Sequence, residues 1–215
     1  AFNNNNNFWY VGDWNDGLVK STRSIEGGKY RWTLRALKRV TLIGLAVAAE
    51  VVEFKLGVNV IIVGSSANAS LGLMFRQIDD ANRYYFLISD EGEFAVFLID
   101  QNQWISLIDW TPTSAINPGE ENRLKIEAVG DQFAFYINNT WVGGTKDNTH
   151  SHGYVGLVTS LDAAGDEGTF EFDDIDLYQA MCDNGTPMGK AFVNLLKSSP
   201  GEMTILFNGM QVTVR

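Results

Sequence analysis

Residues 122–137 read NRLKIEAVGDQFAFYI. Leu124, Ile126 and Ala128 alternate with Arg123, Lys125 and Glu127. Successive side chains of a strand point to opposite faces, so this is a strand with one oily and one wet side. Gly130-Asp131 turns the chain. Phe133, Phe135 and Ile137 then repeat the rhythm on a second strand.

The same pattern extends both ways. Asn138-Asn139 turns into Trp141-Val142, and Tyr154–Ser160 and Thr169–Tyr178 follow. Upstream, YYFLIS (84–89), Asp90-Glu91-Gly92 and EFAVFLI (93–99) form a hairpin, and Trp104–Trp110 forms a further strand. Leu71–Arg76 begins another strand, and residues 52–64 (VEFKLGVNVIIVG) have a strand's β-branched content. In residues 29–37, Tyr30, Trp32 and Leu34 share one face. Strands recur about every 8–14 residues with no helix between them, the pattern of a two-sheet antiparallel sandwich. The expected class is all-β, a jelly-roll sandwich over residues 1–179.

Two stretches read differently. Residues 38–52, rich in alanine and leucine, fit a buried helix or a strand plus a loop. The apolar run Val40–Val52 is shorter than the roughly 20 residues of a membrane span, so no membrane insertion is expected. Residues 180–215 form a C-terminal extension, docked or opening a further domain. Thr186-Pro187 predicts a short helix over MGKAFVNLLK, and Asn208-Gly209 a hairpin between MTILF and MQVTV.

The formal net charge is −10 across 215 residues, which argues against nucleic acid as a partner. Cys182 is the lone cysteine, so no intrachain disulfide forms. No signal-peptide pattern is visible, and a start at Ala1 suggests a processed chain.

Several segments together resemble the concanavalin A-like lectin/glucanase superfamily, in the flavour of bacterial LamG-like and 3-keto-disaccharide hydrolase-like jelly rolls. They are GLMFR (72–76), DDANRYYFLIS (79–89), EGEFAVF (91–97), WISLIDWT (104–111), ENRLKIEAVGDQFAFYINNTWV (121–142), GYVGLVTS (153–160) and FEFDDIDLY (170–178). The resemblance implies the sandwich fold and a secreted, periplasmic or cell-surface protein, with a cytoplasmic one still open. It leaves open a carbohydrate-binding module, a glycoside hydrolase-like enzyme or a structural interaction domain, because one fold hosts all three.

A glycan site needs flat rings for stacking and polar groups for hydroxyls. Trp104, Trp110, Trp141 and the Tyr84-Tyr85 pair are candidate platforms, with Arg76 and Asn82 as hydrogen-bonding partners. Adjacent Tyr84 and Tyr85 point to opposite faces, so one of them should be exposed. Arg76 could equally pair with Asp79 or Asp80.

In FEFDDIDLY, Phe170 and Phe172 set one inward parity and Ile175 and Leu177 the other. A β-bulge near Asp173-Asp174 is expected, and its two carboxylates make a candidate structural Ca²⁺ site, although no cofactor is required. The spacing Glu171-x-Asp173-x-x-Asp176 faintly resembles a laminarinase-type catalytic strand, but it lies on the closing strand and ends in Asp. No catalytic residue is assigned. His150-Ser151-His152 lacks the further ligands of a zinc site and reads as a polar turn.

Overall fold

The computed structural model describes residues 9–45, 50–66, 69–179, 203–207 and 210–214. All of its regular elements are strands. In chain order they are β1 (Gly12–Asn15), β2 (Val19–Glu26), β3 (Lys29–Ala36), β4 (Val40–Leu45), β5 (Phe54–Ser65), β6 (Ala69–Asp79), β7 (Asn82–Ser89) and β8 (Glu93–Asp100). There follow β9 (Gln103–Pro112), β10 (Asn122–Val129), β11 (Gln132–Ile137), β12 (Thr140–Lys146), β13 (Tyr154–Leu161), β14 (Glu167–Gln179), β15 (Met203–Phe207) and β16 (Met210–Val214).

An eight-stranded antiparallel sheet runs β1-β2-β3-β14-β5-β10-β11-β12, and a six-stranded one runs β4-β13-β6-β7-β8-β9. Between them lies the core. Tyr30, Trp32, Leu56, Val58, Leu124, Ile126, Phe135 and Phe170 point into it from the larger sheet. Leu71, Leu73, Phe75, Tyr84, Phe86, Val96 and Leu157 meet them from the smaller. Each such side chain contributes about 1.5–3 kcal/mol when removed from water. The alternation read in residues 122–137 is the inward face of β10 and β11, paired Leu124↔Ile137 to Val129↔Gln132.

The ambiguous stretch 38–52 is a strand over Val40–Leu45, paired antiparallel with β13. Val51 returns to form a lone bridge with Gly153. Gly153 has φ +146, and a Cβ there would stand 2.5 Å from the Gln77 carbonyl oxygen, so this crossing needs glycine. The C-terminal hairpin is present as β15–β16. The helix expected over MGKAFVNLLK lies outside the described residues.

The bulge expected on β14 is present. Its register against β5 shifts between Asp173 and Asp176, and Asp174 takes φ 45. A second bulge was not legible in sequence: β6 shifts register between Phe75 and Asp79, with Arg76 at φ 47. It turns the Arg76 side chain off the outer face and into the end of the core.

Candidate functional site

Arg76 is 1% exposed, and its guanidinium donates to three backbone carbonyls: His150 at 3.1 Å, Val52 at 2.9 Å and Gly130 at 2.7 Å. Its charge also lies 4.8 Å over the Phe133 ring. These carbonyls, not Asp79 or Asp80, are its partners. Tyr84 is buried beside it, donating its hydroxyl to Asp147 and accepting from the His150 amide at 3.0 Å. Burial pushes the Tyr84 hydroxyl far up, and the Asp147 carboxylate adds to the shift. His150 is buried with Nε2 3.1 Å from the Ile99 carbonyl, while His152 is exposed with Nε2 3.7 Å from Glu50. Among the described residues no three His, Cys, Asp or Glu side chains cluster as metal ligands.

Asn82 ties two turns together. Its amide donates to Asp79 at 2.9 Å, and its oxygen accepts from the Gln101 amide at 3.0 Å. Arg76, Tyr84 and Asn82 thus brace one end of the sandwich.

Tyr85, Trp104 and Trp110 do come together. They lie on the outer face of the six-stranded sheet, where Tyr85, Met74, Leu87, Ile99 and Val158 form a second buried cluster. This face is the reason Tyr84 and Tyr85 are both buried, against the expectation that one would be exposed. Trp104 lies 5.5 Å from Tyr85, ring to ring, and Arg83 Nε donates to the Tyr85 hydroxyl. Phe97, which sequence reasoning missed, stands opposite Tyr85 in the β7–β8 register. Its ring is 5.5 Å from Trp104 and 5.9 Å from Trp110. Both tryptophans stay open to solvent, at 48% and 40% exposed. Two register shifts on β9 let Leu107 and Ile108 both dip toward the core, while Trp104 and Trp110 lie on the same side of it. The result is a strip of three rings along the sheet edge, with exposed Ser106 opposite Phe97 between them. Trp141 is elsewhere: 61% exposed on β12, at the edge of the larger sheet and opposite Tyr136.

At the β14 bulge a guanidinium lies against the displaced backbone. Arg123 donates to the Asp174 carbonyl at 2.6 Å and to Asn59 at 3.1 Å, and pairs with Asp176. Glu171 takes Arg31 at 2.9 Å and Lys29 at 3.4 Å. Burial raises the Glu171 carboxyl, but the hydrogen bonds from Arg31 and Lys29 outweigh it and hold it below the usual carboxylate range.

No known protein family's profile matches the chain. A TPR repeat-containing protein of Treponema pallidum is 29% identical over 84 residues, covering 39% of this chain and 10% of that protein. The chain thus spans about a tenth of that relative's length. Among solved structures, a carbohydrate-binding module, CBM66, from Bacillus subtilis aligns at TM-score 0.59 and 20% identity, over 77% of this chain and 98% of that one. A GH43 protein from Bacillus licheniformis aligns at 0.56 and 15% identity, over 78% of this chain and 38% of that one. A GH16 protein from Bacteroides ovatus, in complex with a glucan product, aligns at 0.52 and 9% identity, over 78% and 88%. At these identities the likeness is one of fold. With its two antiparallel sheets, the chain has the fold of a jelly-roll sandwich.

Proposed function

We propose that the protein is an extracytoplasmic carbohydrate-binding module whose platform is the ring strip Trp104–Phe97–Trp110. The observation that carries this reading is the exposure of two tryptophans fixed on either side of a third ring. A soluble protein gains nothing in stability by holding such large apolar faces toward water. Sugar rings present C–H faces that stack on them, while the sugar hydroxyls reach Ser106 and the edge of β9. Stacking of this kind uses no cofactor. At the β14 bulge, the Arg123 guanidinium does the work that a structural Ca²⁺ would do.

A hydrolytic reading has less support. A retaining glycosidase needs one carboxyl raised in pKa to act as acid. Glu171 is shifted the other way, and Asp176 is paired with Arg123.

A glycan-array screen of the wild type and of a Trp104→Ala/Trp110→Ala double variant tests the proposal. The expected result is binding of at least one glycan by the wild type and at least a tenfold loss in the variant. An array bound by neither protein, or bound equally by both, overturns it.

A further inference from the structure

The β1–β2 hairpin holds a charge that neither the core nor the ring strip uses. Parity along β2 puts Val19, Ser21, Arg23 and Ile25 on the inner face of the larger sheet. Arg23 is therefore aimed between the sheets. It is 9% exposed, and Trp32 stands opposite it on β3. Its guanidinium lies 4.4 Å over the Trp32 ring and 5.7 Å from the Tyr10 ring.

Stacking holds a guanidinium by its flat face and leaves its N–H edge in need of an acceptor. Arg23 Nε is buried with no hydrogen-bond partner among the described residues, and so are Trp32 Nε1 and the Ser21 hydroxyl. Ser21 lies two residues from Arg23 on the same face, so these donors occupy neighbouring positions on β2 and β3. Among the described residues no carboxylate pairs with Arg23. Those of its own hairpin are engaged elsewhere: Asp13 accepts from the Thr22 hydroxyl, Asp16 from the Leu18 and Val19 amides, and Glu26 pairs with Arg31. The adjoining strands bring glycine here, Gly12 opposite Arg23 and Gly44 against the Trp32 ring, so neither supplies an acceptor side chain. Tyr30 donates its hydroxyl to the Tyr10 carbonyl at 2.7 Å. Burial pushes that hydroxyl up, and the Arg23 charge offsets part of the shift. A neutral phenol does not balance a buried cation, and buried charges in folded proteins are paired.

We propose that Arg23, Trp32 and Ser21 form a binding site for a small organic carboxylate. The planar carboxylate matches the guanidinium fork, and the indole N–H and the hydroxyl complete its acceptor contacts. A phosphate would bring more negative charge than one guanidinium balances, into a protein of net charge −10. Tyr10 and Trp14, each about half exposed, meet edge to face 6.3 Å apart and form the rim. So enclosed a position admits a small molecule and not a polymer. The site lies on the inner face of the larger sheet and is independent of the Trp104–Trp110 strip.

The test follows the Arg23 Nε–H and Trp32 indole N–H signals by NMR, in the full chain. The ligands are sodium lactate and sodium glucuronate, with lactamide and glucose as their uncharged counterparts and sodium phosphate as a third anion. At least one carboxylate should shift both signals saturably, and its uncharged counterpart should not. Which of the two acts separates a free acid from an acidic sugar. The same ligand should raise the melting temperature, because it binds the folded state alone. Arg23→Met should weaken binding at least tenfold and Ser21→Ala about threefold, while Trp104→Ala/Trp110→Ala should leave it unchanged. If Arg23→Met does not fold, Ser21→Ala and the wild-type titration decide. Signals unmoved by both carboxylates, or moved by phosphate alone, overturn the proposal, as does a Ser21→Ala protein that binds as tightly as the wild type.

Discussion

Replacing Arg76 with methionine keeps the apolar stem but leaves the carbonyls of Val52, Gly130 and His150 without this donor. A hydrogen bond from a charged donor contributes about 1.5–3 kcal/mol, and part of the loss is recovered by relaxation. The variant should lose roughly 3 kcal/mol in urea denaturation, and a loss near zero would show that the carbonyl cage does not hold this end of the sandwich. Sequence suggested Arg76 as a sugar ligand because it lies close to Asn82 and the Tyr84-Tyr85 pair along the chain. The bulge that reverses it depends on a positive φ at a non-glycine residue, which no local pattern announces. Arg123 makes a parallel case. Its substitution by methionine should cost about 1–2 kcal/mol, mainly through the lost hydrogen bonds to the Asp174 carbonyl and Asn59. Because that guanidinium already satisfies the bulge, the melting temperature of the wild type should be the same in millimolar Ca²⁺ and in EDTA. A rise of several degrees with Ca²⁺ would contradict this assignment.

The strand β14 was legible in detail, because its inward parity changes at Asp173-Asp174 and only a bulge lets both halves bury their apolar residues. It also carries a pH dependence. Glu171 has a folded-state pKa below that of an unfolded glutamate, about 4.3. Its contribution is therefore fully present above that value and is lost as pH falls through the depressed folded value. Glu171→Gln should be less stable than the wild type at pH 7, and the gap should narrow between about pH 5 and pH 3. Chemical denaturation across that range measures it, and a gap that widens on acidification would refute the sign. In the smaller sheet, β6 shows no alternation. Burial is continuous along Ala69–Gln77, where inner Leu71 and Leu73 and outer Met74 are all covered. A strand oily on both faces has no period of two, and for the same reason β4 resembled a helix.

Taken whole, the molecule has an amphipathic larger sheet and a smaller one that is apolar on both faces. That division explains why the alternating segments 29–37 and 122–137, both in the larger sheet, gave the class correctly. It also explains why the ring strip lies on the smaller one. The aromatic candidates were legible as residue types, but their grouping was not. Tyr85, Phe97, Trp104 and Trp110 are joined by register across β7, β8 and β9, whereas Trp141 falls on the other sheet. The most direct test is a crystal structure of the full chain with an array-selected oligosaccharide. The account predicts a sugar ring stacked on Trp104 or Trp110, within about 4–4.5 Å of the indole face. A sugar bound with both of those rings bare would contradict it.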